Sequence, residues 1–129
     1  MSIPYTVIRK DLPGEAAGRK KKYYATAVSN NKTDLHGLID KAKEKCSMNG
    51  ADLIRAVYLL QDLIADELEK GNIVHIKPLG SFYPSIKSEA KDSPEEVTPK
   101  SIKKVSINYR PSRAMRDRIA GASFERVKS

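Results

Sequence analysis

The residues of this sequence that could do chemistry are its cations. Lys and Arg number 24 against 16 Asp and Glu, a formal charge of +8 over 129 residues, and the isoelectric point lies near 9.6. That balance suits a polyanionic partner, a nucleic acid before an anionic membrane surface. The cations are grouped. Arg19-Lys20-Lys21-Lys22 form one run, Lys100, Lys103 and Lys104 a second group, and Arg110, Arg113, Arg116 and Arg118 a third. Ahead of the second group, residues 89–99 carry Glu89, Asp92, Glu95 and Glu96 against Lys91 alone. This local balance of −3 leaves +11 on the rest of the chain.

Other chemistries lack their residues. There is no glycine-rich phosphate loop, no His pair at ligand spacing, and no nucleophile with a recognisable base. His36 beside a helical stripe and His75 in an alternating run read as surface residues. Cys46, at the end of that stripe, reads as a small core residue. As the single cysteine, it excludes an internal disulfide and a multi-cysteine zinc site. The expectation is a non-enzyme with no catalytic residues, metal, cofactor or small-molecule substrate. No apolar run approaches the ~20 residues of a membrane span, and Met1 to Lys10 lacks a signal-peptide layout. A cytoplasmic protein with no membrane partner is therefore expected.

The elements that must position the cations follow from periodicity. Ile3 to Arg9 and Tyr23 to Val28 have the β-branched and aromatic content of strands. They are joined by a Pro- and Gly-bearing loop over Asp11 to Gly18, and residues 1–30 read as an amino-terminal hairpin. Leu35, Leu38, Ile39, Ala42 and Cys46 recur at helical spacing, with Thr33 placed as cap and Asp34 suited to the helix start. Asn49 and Asp52 form a capping-box pattern before a long helix. Its main stripe is Leu53, Val57, Leu60, Ile64 and Leu68. Ile54, Ala56, Leu63 and Ala65 widen that stripe, so the helix is to be buried on more than one side. A partner subunit would supply the second covering; packing under the hairpin and the amino-terminal strands is the alternative. Gly71 closes this helix.

A long hairpin follows. It leaves through Ile73 to Phe82 and Ile86, turns through a polar, proline-bearing tip, and returns through Ile102 to Ile107. Pro78 and Pro84 imply an edge, a bulge or a bend, and Gly80 a bulge or close packing. Ser112 can cap a short helix from Arg113 to Ala120, stopped by Gly121. Ala122 to Val127 reads as a further short strand, suited to joining the amino-terminal hairpin.

Three segments in order carry a resemblance. Asn31-Lys32-Thr33-Asp34-Leu35 resembles the start of bacterial histone-like HU proteins. Gly71 to Phe82 resembles that family's Gly-x-x-Val-x-Leu and glycine-bearing turn, with Pro78-Leu79-Gly80-Ser81-Phe82 in the turn. Tyr109-Arg110-Pro111-Ser112-Arg113-Ala114-Met115-Arg116-Asp117 resembles its closing Phe-Lys-Pro-Gly-Lys-Ala-Leu-Lys-Asp. The likeness covers Asn31 to Gly121, and the extensions on both sides resemble the extended HU-like proteins of Bacteroides-type bacteria.

The resemblance implies an α+β fold that intertwines two copies: two helices, a β-hairpin arm over 87–101 and a short closing helix in residues 31–121. The amino-terminal hairpin and a tail or strand over 122–129 are added to it. It implies a dimer core containing Val57, Leu60, Ile64, Leu79 and Phe82, and arms that enter the DNA minor groove. Arg110, Arg113 and Arg116 match basic positions of the closing motif. Lys100, Lys103 and Lys104 fall on the returning strand and Lys87 on the outgoing one. Each could neutralise a phosphate, which positions a duplex but reads no sequence. The family's arm wedges a proline between base steps. Here Pro94 holds the nearest position, but Ser93 and Glu95 flank it in place of basic residues. The expected function is that of an architectural, largely sequence-non-specific, nucleoid-associated DNA-binding homodimer. The alternative is a homodimeric interaction module that kept the fold and lost DNA bending.

Overall fold

The computed structural model describes residues 2–11 and 21–128. Of the loop expected over Asp11 to Gly18, Asp11 instead ends the first strand, and 12–18 lie outside the described residues, as do the first cations of the basic run, Arg19 and Lys20. The elements are β1 (Ser2–Asp11), β2 (Lys21–Ala27), α1 (Leu35–Lys45), α2 (Gly50–Glu69), β3 (Val74–Ile76), β4 (Gly80–Ser88), β5 (Ile102–Pro111), α3 (Arg113–Ala120) and β6 (Ser123–Arg126). The strands form two three-stranded sheets, in the orders β2-β1-β6 and β3-β4-β5. The mixed α+β class agrees with the sequence reading. The chain divides into two compact units, one of Met1–Asp34 with Arg118–Ser129 and one of Leu35–Asp117.

In the first unit β1 pairs antiparallel with β2, and β6 pairs parallel with β1 from Ser2 opposite Ser123 to Tyr5 opposite Arg126. The short strand expected near Phe124 is present as β6. Chain ends far apart in sequence thus complete one sheet, and the Val127 N–H extends the pairing by donating to the Tyr5 carbonyl at 2.8 Å.

In the second unit α2 packs on α1, β3 and β4. Helix α1 begins at Leu35, so Asp34 rather than Thr33 flanks it. Asn49 caps α2, its Oδ1 accepting from the Ala51 N–H at 2.8 Å, while Asp52 in the first turn pairs with Arg55 at 3.5 Å. At the other end Gly71 takes φ +83°. The Gly71 N–H then donates to Leu68 O at 2.9 Å and the Asn72 N–H to Glu67 O at 3.0 Å, the paired bonds of a Schellman ending.

Burial departs from the sequence expectation. Only Ile39 and Leu68 are buried apolar residues among those described. Cys46, expected in the core, is exposed, because α1 ends at Lys45 and the stripe turns out of the helix there. Leu38 is also exposed. On α2, Leu53, Ile54 and Ile64 are half-buried, but Val57, Leu60 and Leu63 stay open to solvent at 43%, 49% and 51%. The wide apolar stripe of α2 therefore exceeds what its own chain covers.

Candidate nucleic-acid interface

The base of the long hairpin is locked by backbone proximity. Gly80 has φ +136°, and a Cβ there would lie 2.1 Å from the Arg110 carbonyl oxygen and 2.9 Å from the Ser112 nitrogen. Only glycine fits this crossing. The close approach positions the closing helix as well. Ser112 Oγ accepts from the Met115 N–H at 3.1 Å, capping α3, and donates to the Pro78 carbonyl at 3.1 Å. The Ser112 N–H donates to Leu79 O at 3.0 Å, and Tyr109 Oη donates to the same oxygen at 2.7 Å. One small turn, Ile76 to Gly80, thereby fixes the end of β5 and the start of α3 together. Arg110, Arg113 and Arg116 leave from that junction.

The hairpin has two chemically different faces, because side chains alternate along paired strands. Phe82 opposite Tyr109, Pro84 opposite Ile107 and Ile86 opposite Val105 make the apolar face. Phe82 and Tyr109 hold their ring centroids 5.2 Å apart. Ala65, Leu68 and Glu69 of α2 share with Pro84, Val105 and Ile107 a cavity of about 210 Å³. This face turns towards the helix, yet Ile86, Val105 and Ile107 remain more than 60% exposed. Pro84 is accommodated where β4 has lost one neighbour, since β3 pairs only as far as Phe82.

The other face is polar and cationic. Ser81 stands opposite Arg110, Tyr83 opposite Asn108, Ser85 opposite Ser106 and Lys87 opposite Lys104. Asn108 Nδ2 donates to Ser85 Oγ at 2.7 Å, and the Arg110 guanidinium lies 5.7 Å from the Tyr83 ring centroid. His75 joins this face through a 2.9 Å hydrogen bond between Nδ1 and Ser81 Oγ, a sheet-surface role as expected. Among the described residues no carboxylate pairs with Lys87, Lys104 or Arg110. Among the described residues the face thus offers cations without a carboxylate partner, held on a paired ribbon.

The remaining expected cations separate from this set. Lys103 falls in the bulge at Lys87/Ser88 and has no cross-strand partner, because Lys87 pairs with Lys104 and Ser88 with Ile102. Lys100 belongs to the tip, in a short 3-10 turn over Pro99–Ser101. Arg113 and Arg116 are exposed on α3, with Arg113 Nε 3.7 Å from Asp117. Pro94 is exposed and opens another 3-10 turn, Pro94–Glu96, so two carboxylates follow it directly. The tip is folded upon itself. Ser101 is 3% exposed, its Oγ accepts from the Thr98 N–H at 3.2 Å, and its carbonyl accepts from the Glu89 N–H at 2.8 Å.

Tyr83, Ser85, Ser106 and Asn108 belong to the cationic face but were not singled out by composition. Counting alternate positions back from Lys87 and forward from Lys104, each along its own strand, finds them without knowledge of the pairing. Of the residues expected in a dimer core, Phe82 and Ile64 are half-buried in their own chain, while Val57, Leu60 and Leu79 are exposed. No group of His, Cys, Asp and Glu able to hold a metal ion occurs among the described residues. No helix among them is long and apolar enough to cross a membrane.

Two packed helices, a three-stranded sheet drawn out into the long β4–β5 hairpin and a closing helix capped onto the hairpin's base define an HU-type module. Residues 1–126 match the model of the HU-HIG family, described as an HU domain fused to wHTH, Ig, or glycine-rich motif. The chain belongs to that family, and the match takes in the amino-terminal strands and β6 as well as the segments that carried the resemblance. A 2.25 Å crystal structure of a Bacteroides vulgatus protein, provisionally named as a bacterial DNA-binding protein, is similar with a TM-score of 0.71 at 11% identity. The likeness is one of fold. It covers 98% of this chain and 48% of that one, so this chain spans about half the length of that neighbour. A comparison with curated proteins returned no match.

Proposed function

We propose that this chain is one protomer of a DNA-binding homodimer that holds duplex DNA through its phosphates, with little regard to base sequence. The observation that carries this reading is Lys87 directly opposite Lys104 on the polar face of the hairpin, with Arg110 on the same face. Like charges on opposed positions repel, and a phosphate backbone between them turns that repulsion into attraction. Membership of an HU family supports DNA as the polyanion, and the name of the Bacteroides vulgatus neighbour points the same way. Arg113 and Arg116 extend the cationic set from the hairpin base, and Lys100 and Lys103 add charge towards the tip. Phosphate contacts of this kind set the position of a duplex without reading its bases.

The second copy is argued from α2. Val57, Leu60 and Leu63 form a contiguous aliphatic surface, and Ile86, Val105 and Ile107 leave a second one on the hairpin. Apolar area of that extent marks an interface. A second copy brings an identical α2 and an identical hairpin, so each stripe is covered by its symmetry mate. The HU-like part, residues 31–121, would then form a helical base with two arms, working at the bacterial nucleoid.

The test is a titration of binding to linear, nicked and bent duplexes between about 50 and 200 mM salt, with the dimer measured by sedimentation. Affinity should fall by a log–log slope of about −0.9 for each neutralised phosphate. Salt-independent binding overturns the proposal. One observation favours a second reading, a homodimeric interaction module without DNA bending: the tip is acidic and folded back on itself. A dimer that shifts no duplex even at low salt selects that reading.

A further inference from the structure

The strands β1 and β2 take no part in the proposed grip, yet one of their faces repeats its chemistry. Their register places Thr6 opposite Thr26, Ile8 opposite Tyr24 and Lys10 opposite Lys22 on one side of the sheet. Lys10 Nζ lies 5.9 Å from the centroid of the Tyr24 ring. The polar face of β4–β5 has the same three parts: opposed hydroxyls in Ser85 and Ser106, opposed lysines in Lys87 and Lys104, and a tyrosine beside a cation in Tyr83 and Arg110. Lys10 and Lys22 are exposed, and Tyr24 is 46% exposed. Among the described residues neither lysine has a carboxylate partner. An opposed lysine pair works against the hairpin that carries it, and among the described residues no ion pair offsets it. The sequence of β1 and β2 also has Arg9 and Lys21, against Asp11 as its one carboxylate, so the strand ends are cationic beyond the pair itself.

We infer that the Lys10–Lys22 face of the β1–β2 hairpin is a second nucleic-acid site, separate from the β4–β5 hairpin. Two neighbouring backbone phosphates accept hydrogen bonds from the two ammonium groups, one each, and Thr6 and Thr26 offer hydroxyls beyond the Ile8–Tyr24 pair. Tyr24 supplies an aromatic face for an unstacked base. A single strand can use that face, whereas the bases of a duplex are already stacked. The site therefore takes single-stranded nucleic acid in preference to duplex. It does not depend on the β4–β5 hairpin holding DNA.

The experiment uses the full chain with the first grip weakened by Lys87→Gln and Lys104→Gln, followed by fluorescence anisotropy with a labelled oligo-dT of about 15 nucleotides, within single-strand site sizes. A duplex of the same length and phosphatidylglycerol vesicles are the other probes. Binding to oligo-dT should persist in this background. Adding Lys10→Gln and Lys22→Gln should flatten its salt slope by about 1.4, at about 0.7 per single-strand phosphate contact. Tyr24→Ser should weaken it about tenfold, the loss of one base–aromatic stack, while Tyr24→Phe retains it. The chain has no Trp and six Tyr, so the part of the tyrosine quenching by oligo-dT that Tyr24→Ser removes reports the stack. Circular dichroism and the variant pair Lys10→Arg and Lys22→Arg, which should bind normally, exclude misfolding as the cause. If neutralising Lys87 and Lys104 removes all nucleic-acid binding, the inference is overturned and the proposed grip stands. If oligo-dT binding ignores Lys10, Lys22 and Tyr24, or only vesicle binding responds to them, the inference is likewise overturned. If the β4–β5 variant binds duplex as tightly as the parent while the β1–β2 variant does not bind oligo-dT, the proposed grip fails and the inference stands.

Discussion

Lys87 and Lys104 are direct cross-strand partners in the β4–β5 hairpin, at the last aligned pair before the bulge. The strands hold two ammonium-bearing stems side by side on the face that also bears Arg110. Such a pair opposes hairpin stability and favours a polyanion, so its removal should move stability and binding in opposite directions. The variant Lys87→Gln with Lys104→Gln is expected to melt at the parent's temperature or above it. Its log–log salt slope for duplex binding should shrink by about 1.8, at about 0.9 per lost phosphate contact. Thermal melting and salt-titrated anisotropy on the same sample decide it. A variant that is less stable but binds equally would refute the assigned role.

Gly80 tests whether the hairpin base and the closing helix are one structural unit. Its φ of +136° and the 2.1 Å approach to the Arg110 carbonyl leave no room for a methyl group. Gly80→Ala should destabilise by about 3 kcal/mol through strain and forced separation of β4 from β5. Urea unfolding should show the loss. Because Ser112 caps α3 from the same junction, amide exchange in α3 should accelerate in parallel.

Leu60 separates a monomer from a dimer. In an isolated chain it is 49% exposed, so Leu60→Asp would be almost without effect. In a homodimer it would place a carboxylate in the shared core, where an unpaired charge is strongly unfavourable. Sedimentation of the parent should give twice the 14.4 kDa chain mass, and Leu60→Asp should dissociate or unfold it. A parent that sediments as a single chain at all concentrations rejects the dimer.

Gly71 isolates a local contribution. The space around it is open, but its φ is +83°. Gly71→Ala should therefore cost about 1 kcal/mol, with Gly71→Asn milder because asparagine tolerates the left-handed region. Chemical denaturation of the two variants should rank them in that order. Equal stability of all three chains would show that the Schellman ending contributes nothing.

Pro94 tests the tip. Two carboxylates follow it in its 3-10 turn, and electrostatic repulsion from phosphate opposes its insertion between bases. Pro94→Ala should change duplex affinity by less than about twofold, well under the effect of one lost phosphate contact at low salt. A large loss, together with reduced bending measured by fluorescence transfer between DNA ends, would restore the wedge.

Much of the architecture was legible in the sequence because its signals are local. The 3.6-residue stripe of α2, the Asn49 start and Gly71 stop, and the Ser112 cap are each read within a few residues. Backbone hydrogen bonding at helix ends needs no distant partner. The alternation around Phe82 and Ile107 marked the strands in the same way, and the motif at Tyr109 to Asp117 identified the family. The acidic composition of residues 89–99 showed in advance where charge opposes a polyanion.

What only the tertiary structure decided is pairing. Register is a relation between strands, and a one-residue slip moves every side chain to the other face. Composition grouped Lys100, Lys103 and Lys104 as neighbours. The bulge breaks that group, joins Lys104 to Lys87 across the hairpin and leaves Lys103 without a cross-strand partner. Cys46 and Leu38 shared a helical stripe, but burial depends on what arrives from elsewhere in the chain, and both are exposed among the described residues. The opposition of Lys10 and Lys22 needs a register to be seen at all. The sequence determined which residues are cationic and on which elements they ride; the tertiary structure determined which cations meet, because their meeting is set by strand register and not by distance along the chain.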